Sequence, residues 1–262
     1  MFPLKNNSKK EVVVYTALFG NYDELEGPTV VDERCDYVCF TDQKIKSDIW
    51  EIIKITPHRE NNLMNREFKI LPHKYFSNYK YSLYIDANLI IKIKPSYLIE
   101  RHLVNNFMAV PKHVVWNCAY LEAFRSITSN RINAKKVFLQ MTKYANDGFP
   151  IFYGLTENSI LLRKHNNKEL ISLMNFWWDE IRKNAHRDQL CFQYSLWKKK
   201  QKISIMDENC RPPYKSFGFK THKVKKKNFF IFKALRLLFY IIPLAIIIYS
   251  LQTKNFIFRH KI

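Results

Sequence analysis

Three short apolar runs constrain this chain more than any other feature. Residues 12–17 (VVVYTA), 36–41 (DYVCFT) and 81–85 (YSLYI) are dense in β-branched and aromatic side chains, and each is closed by charged or turn-forming residues. Runs of this length without strict alternation read as strands buried on both faces, the signature of a parallel sheet covered by helices. Residues 49–55 (IWEIIKI) alternate more clearly, as an edge or half-exposed strand does. Residues 89–93 are extended in character, and 159–162 read as a further strand. Helical stretches lie between them. In 65–76, Phe68, Leu71, Tyr75 and Phe76 recur at helical spacing, with Pro72 shortening or kinking the helix. In 170–181, Leu170, Met174, Trp177, Trp178 and Ile181 form an amphipathic stripe. A further helix is expected over 190–197, with Asp188 near its start. Strands alternating with helices imply an α/β fold with a mostly parallel central sheet flanked by helices. In such sheets ligands gather at the carboxyl ends of strands. The loops after Ala17, Thr41 and Ile85 are therefore the candidate site.

Length and composition remove several alternatives. At 262 residues the chain accommodates one substantial domain, expected over 1–223, and an appendage over 224–262. A hydrophobic content of 47% with 15% aromatics excludes a disordered chain. Only five glycines are present, with no G-x-x-x-x-G-K or G-x-G-x-x-G run, which argues against P-loop and dinucleotide-fingerprint folds. Cys35, Cys39, Cys118, Cys191 and Cys210 are odd in number and include no C-x-x-C pair, so a reducing compartment is expected. The first residues contain no apolar segment of signal-peptide length, which points to the cytoplasm.

Net charge is +20, and its distribution is uneven. From Lys220 onward there are ten Lys and Arg residues and no Asp or Glu, half of the net excess. Within this segment 237–251 (LLFYIIPLAIIIYSL) is uncharged, with basic residues on both sides and Pro243 expected to kink it. The run is shorter than the roughly 20 residues needed to span a bilayer. A hydrophobic C-terminal helix on an anionic membrane surface is the expectation, lying in the interface or spanning it; a core helix is the alternative. Nucleic acid, the other natural partner of a basic chain, would require basic and aromatic residues interleaved on the body, and none is expected.

Four elements could carry chemistry. Asp86-Ala87-Asn88 interrupts an apolar strand and offers a carboxylate and an amide oxygen to a hard divalent cation, or supplies an ordinary β-turn. Arg66 and Lys69, about one helical turn apart, could aim two cations at a diphosphate, or form a solvated basic face. In 186–189 (HRDQ), Asp188 either caps the following helix or is directed at a substrate. His222 could close a metal site or be a surface histidine between lysines.

Taken in order, these residues resemble the glycosyltransferase-like domain family found in bacterial polysaccharide gene clusters and in plant mucilage-related proteins. The resemblance covers residues 13–223 and rests on 15–23 (YTALFGNYD), 39–42 (CFTD), 65–73 (NREFKILPH), 84–88 (YIDAN), 118–123 (CAYLEA), Gly154-Leu155, 163–166 (RKHN) and 187–189 (RDQ). More distantly, the order of motifs is similar to family 8 glycosyltransferases. The resemblance implies a GT-A-like fold and transfer of a hexose from a nucleotide-diphosphate sugar to a cell-surface polysaccharide or lipid-linked glycan. The expected place, the cytoplasmic face of the membrane, comes from the cysteines, the first residues and the basic, apolar C-terminus. It implies a nucleotide-sugar site at Thr16, Ala17, Phe19, Gly20, Tyr22, Asp42, Arg66 and Lys69, and Mn2+ or Mg2+ held by Asp86, Asn88 and His222. Asp188 and Gln189 are expected at the donor sugar, with a retaining outcome implied at a further remove.

His113, Trp116 and Tyr120 are expected at the acceptor, with Glu122 a candidate for acceptor binding or acid–base work, or else a helix-surface carboxylate. The chain departs from the family pattern at Val114 and Trp116, which stand where Pro and Arg are expected. Trp116 would stack on a sugar face there and select a different acceptor. An inactive, membrane-bound scaffold of the same fold is the alternative reading.

Overall fold

The computed structural model describes residues 10–128, 132–222 and 237–259. The basic stretch 223–236, with Lys233 and Arg236, lies outside them. Among the described residues nine strands form two sheets. β1 (Val12–Leu18), β2 (Cys35–Thr41) and β4 (Tyr81–Ile85) are the three apolar runs, and β1 is buried at every position. β2 and β4 flank β1 in parallel, and β3 (Glu51–Lys54) continues the parallel set beyond β2 as an edge. Its half-exposed pattern matches that edge position. On the other side of β4 lies β7 (Ile160–Arg163), antiparallel, then β6 (Met108–Pro111) and β8 (Ser204–Met206). The order is β3-β2-β1-β4-β7-β6-β8, with β7 alone running against the other six. The mostly parallel α/β sheet expected from the apolar runs is thus the sheet observed.

β5 (Leu89–Ile91) leaves this sheet. The amide of Leu89 donates to the Asp86 carbonyl at 3.0 Å, closing a turn, and β5 then pairs antiparallel with β9 (Phe217–Phe219). α1 (Asn61–Ile70) packs on β1 and ends before Pro72, which opens a short 3₁₀ turn (Pro72–Lys74), so the proline terminates the helix rather than kinking it. α2 (Pro95–His102), α3 (Ala119–Thr128) and α4 (Ala134–Asn146) follow, then α5 (Lys168–Lys183) and α6 (Asp188–Lys198). α5 buries Leu170, Met174, Trp177, Trp178 and Ile181, the stripe read from its periodicity, and Leu173 with them.

The chain divides into two compact units. The first holds both sheets and is built from residues up to Val114, Glu157–Trp178 and the segment from Lys202. The second is helical: Val115–Thr156, Asp179–Gln201 and the C-terminal helix. That helix, α7 (Ile242–Arg259), follows a π-helical turn (Leu237–Ile241) and packs on α3 and α4. Pro243 is the second residue of α7, directly after the π-helical turn. Among the described residues no helix is long and apolar enough to cross a membrane.

Candidate active site

The order of strands determines where a ligand can enter the first unit. From β1 the chain moves outward through β2 to β3, and then returns to the opposite side of β1 as β4. The strand order reverses between β1 and β4, and in open α/β sheets ligands usually bind beyond the carboxyl ends at such a reversal. Three polar groups collect at these ends. After β1, the Gly20 amide donates to both carboxylate oxygens of Asp42, which follows β2, at 3.2 Å each. Gly20 has φ +75, and a Cβ there would fall 2.2 Å from Asn61 Nδ2, so the loop requires glycine. Asn65 of α1 caps the strand end by donating to the Ala17 carbonyl, and Arg66 donates to Asn65 Oδ1 at 2.6 Å.

Asp86 follows β4. Its Oδ1 accepts from Tyr84 Oη at 2.9 Å and lies 3.3 Å from Lys69 Nζ. Lys69 is 1% exposed, so its ammonium is directed inward at this carboxylate and is no part of a solvated face. Burial and the adjacent Asp86 carboxylate push the Tyr84 hydroxyl well above its ordinary pKa, which keeps it a proton donor to Asp86. The α1 end that carries Lys69 is itself held. Its carbonyl accepts from Tyr15 Oη at 3.0 Å and from Arg163 Nη1 at 2.9 Å.

Asn88 is buried, and its Nδ2 donates to the Lys220 carbonyl at 2.8 Å, while the Lys220 amide donates back to the Asn88 carbonyl at 3.0 Å. This tie straps the segment after β9 across the turn. Further along the strap, His222 Nδ1 lies 2.7 Å from Asp23 Oδ1, and the His222 ring packs against Tyr22 at 4.9 Å.

A divalent cation here would need oxygen lone pairs not already taken. Asp86 Oδ2 and Asn88 Oδ1 accept no hydrogen bond among the described residues, and both are hard donors suited to Mg2+ or Mn2+. Among the described residues no group of three or more His, Cys, Asp or Glu side chains could hold a metal by itself. The donor set therefore fits an ion shared with substrate phosphates, the common mode for Mg2+, and not an all-protein cage.

The second unit carries a different cluster. Glu122 on α3 is 1% exposed and so is not a helix-surface carboxylate. Its Oε1 accepts from Arg187 Nη2 and, at 3.3 Å, from Ser126 Oγ. Arg187 Nη2 also donates to Gln189 Oε1 at 2.7 Å, which joins Glu122, Arg187 and Gln189 in one network. Arg187 is the N-cap of α6 and makes no side-chain cap bond; Asp188 is the first helical residue, buried, with its charge at the positive end of the helix dipole. Asp188 is thus not the cap. The preceding His186 has φ +56, a left-handed conformation that costs energy for a non-glycine residue and that concentrates at functional sites.

The family model for the TOD1/MUCI70, glycosyltransferase-like domain matches residues 4–218. The chain belongs to this family. Among curated relatives, the probable hexosyltransferase MUCI70 of Arabidopsis thaliana is 23% identical over 215 residues, covering 69% of this chain and 36% of the relative. The alkaline ceramidase TOD1 of Arabidopsis thaliana is 25% identical over 236 residues, covering 74% of this chain and 51% of the relative. The chain thus spans between about a third and a half of the curated relatives it matches. Among solved structures, the bifunctional glycosyltransferase WbbM is similar at 14% identity with a TM-score of 0.45, covering 79% of this chain and 40% of that one.

Within this TOD1/MUCI70 domain the predicted residues separate by unit. Ala17, Gly20, Tyr22, Asp42, Arg66, Lys69, Asp86, Asn88 and His222 belong to the first unit, at or near the ends of β1, β2 and β4. Thr16 and Phe19 are there too, but both are buried, and Phe19 stacks on Phe68 at 5.6 Å, so their side chains serve the core in place of the expected nucleotide-sugar contact. His113 also lies in the first unit, whereas Trp116, Tyr120, Glu122, Asp188 and Gln189 lie in the second. Tyr120 is fully buried and donates to the Phe149 carbonyl at 2.9 Å, a core role in place of the expected acceptor contact. Trp116 is partly exposed.

Sequence reasoning missed Tyr84, Asp23, Arg163 and Arg187 as partners of the predicted residues. The signal for Arg163 was a charge closing an otherwise apolar strand (ILLR); for Tyr84 it was a phenol two residues before the carboxylate, on the same face of the strand.

Proposed function

We propose that this chain is a metal-dependent glycosyltransferase. It moves a hexose from a nucleotide-diphosphate donor to a cell-surface polysaccharide or lipid-linked glycan, at the cytoplasmic face of a membrane. Family membership supports the class of reaction. The single observation that carries the reading is the half-exposed Asp86 carboxylate at the β1/β4 reversal, held by Tyr84 and Lys69 with one oxygen still available. A carboxylate so oriented, beside a buried ammonium, suits a site where a diphosphate must bind and then leave.

In this reading Asp86 and Asn88 hold Mn2+ or Mg2+ together with the donor phosphates, and His222 lies within the same strap. When bound, the ion neutralises charge on the departing diphosphate. Lys69 and Arg66 add fixed positive charge on the same side, preorganised by Tyr15, Arg163 and Asn65, so that little reorganisation is needed as the leaving group develops charge. From the sequence motif alone, Gln189 and Asp188 of the second unit are assigned to the donor sugar. Glu122, buried against Arg187, acts as a positioning residue that holds Arg187 and Gln189, and Trp116 stacks on the acceptor.

The test is a donor screen followed by one variant. A panel of sugar nucleotides with manganese is scored by thermal shift, since a bound donor raises apparent stability by mass action. The donor found is then assayed for hydrolysis and transfer. We expect one donor class to raise Tm only with the metal, and Asp86→Ala to abolish turnover while far-UV circular dichroism shows the fold kept, with a lowered unliganded Tm because buried Lys69 loses its partner. Turnover retained in Asp86→Ala would remove the metal assignment; no stabilisation by any donor would remove the reading itself.

A further inference from the structure

α7 has two unlike faces. Leu244 and Ile248 are 0% and 8% exposed, on the side where the helix packs against α3 and α4. Just before the helix, Tyr240 meets Phe138 of α4, ring centroids 6.1 Å apart. Ile242, Ile246 and Tyr249 turn the other way, and Phe239 precedes them from the π-helical turn. These four are 58%, 44%, 62% and 68% exposed in the order Phe239, Ile242, Ile246, Tyr249. At about 100° per residue, Ile242, Ile246 and Tyr249 share one stripe and Leu244 with Ile248 lies opposite it. The helix is thus docked by one apolar face and presents a second to solvent. A contiguous apolar stripe of large side chains is uncommon on a soluble surface and marks an interaction site.

We infer that this stripe is a lipid-docking face: the second unit rests on an anionic bilayer with α7 lying along the interface and Phe239, Ile242, Ile246 and Tyr249 in the headgroup–acyl boundary. The inference rests on the membrane reading above and specifies which residues make the contact and how the helix is turned. Charge selects the occupant. The segment from Lys220 carries ten Lys and Arg residues and no Asp or Glu. A second copy packed stripe to stripe would bring two such segments together, and their repulsion opposes that pairing. An anionic lipid surface attracts the same charges and takes up the apolar stripe. An interfacial orientation follows from the packing, because Leu244 and Ile248 are already covered by protein and only one side of the helix is left for lipid. Tyr249 suits this depth, with an apolar ring and a hydroxyl that stays hydrated.

The experiment is vesicle co-sedimentation of the full chain and three variants, using pure phosphatidylcholine vesicles and phosphatidylcholine–phosphatidylglycerol mixtures. Ile246→Glu and Tyr249→Glu place a charge on the stripe; Gln252→Glu places the same charge on an exposed position beside it. All three positions are exposed, and far-UV circular dichroism checks that the variants fold. We expect the wild type to bind the mixed vesicles, each stripe variant to lose about tenfold or more in partitioning, and Gln252→Glu to bind much as the wild type does. Wild-type binding that survives both stripe variants would leave the membrane reading standing and overturn this one, with the basic segment acting alone. No wild-type binding to mixed vesicles would overturn both. Concentration-dependent self-association abolished by Ile246→Glu, without vesicle binding, would assign the stripe to a second copy and overturn the lipid assignment.

Discussion

The two units each hold a carboxylate against a cation, and they do so in opposite ways. In the sheet unit Asp86 is 36% exposed at its side chain, with Lys69 and Tyr84 on one oxygen and nothing among the described residues on the other. In the helical unit Glu122 is 1% exposed, and its oxygens face Arg187, Ser126 and Arg125. Both carboxylates meet a cation, but the first keeps one side toward solvent and the second is enclosed by protein. A sheet edge leaves strand ends open to solvent, while a helix packed among helices covers its inward side chains. The difference between the two carboxylates follows from that difference in architecture.

The sharpest way to break this comparison is Glu122→Ala. Removing one partner of a buried pair leaves the Arg187 charge uncompensated, and we expect a loss of about 3–5 kcal/mol in folding stability, read by denaturant titration. A change below about 1 kcal/mol would show that Arg187 is solvated and that the two carboxylates are alike.

Asp86→Asn should act mainly on activity, lowering kcat by about 10²–10³-fold, the usual cost of removing one preorganised electrostatic group, although buried Lys69 loses its charge partner and some stability goes with it. Activity within a factor of about two of wild type would contradict the contrast.

Acid should loosen the sheet unit first. Burial lowers the pKa of His165 from 6.5 to about 4, and its Nε2 donates to the Phe76 carbonyl at 2.7 Å, so the folded ring is neutral. Between these two values the unfolded chain holds a proton that the folded one does not. Stability is therefore full above pH 6.5 and falls as pH drops towards 4, by about 3 kcal/mol for this group. His73, also lowered to about 4 by burial, acts in the same direction. Hydrogen exchange across this pH window should show β7 and the end of α1 losing protection before α3 and α6; simultaneous loss would contradict that order.

His222→Ala should have the smallest effect on stability, because its pairing with Asp23 is 44% exposed on the histidine side. The variant should fold with little change in Tm. In the sheet unit it tests the strap separately from the carboxylate, since a rise in donor KM without loss of Tm would place His222 in donor binding.

Much of the sheet was legible because a run such as YSLYI carries its own instruction: contiguous apolar, β-branched and aromatic residues have no solvent-facing side, so they are buried strands wherever they lie. The edge position of β3 followed from its alternation, and the α5 stripe from its period. β6, β8 and β9 were not legible. They are three or four residues long, and α2, α3 and α4 lie in sequence with weaker punctuation. The candidate site was legible as a list of residue types at strand ends, but its partners were not.

Those partners are separated by chain distances that local pattern cannot bridge. Lys69 lies 17 residues from Asp86, Arg187 lies 65 from Glu122, and Lys220 lies 132 from Asn88. By itself, the sequence determined that Asp86 follows β4, that α1 carries Lys69, and that the last segment is basic and apolar, because each is a property of neighbours along the chain. Only the tertiary structure decided that Lys69 turns inward to Asp86, that Glu122 is buried while Asp86 is open, and that one side of α7 is covered. Burial depends on what packs across from a residue, and that is set by the sheet order and the helix packing, not by the residue's own surroundings in sequence.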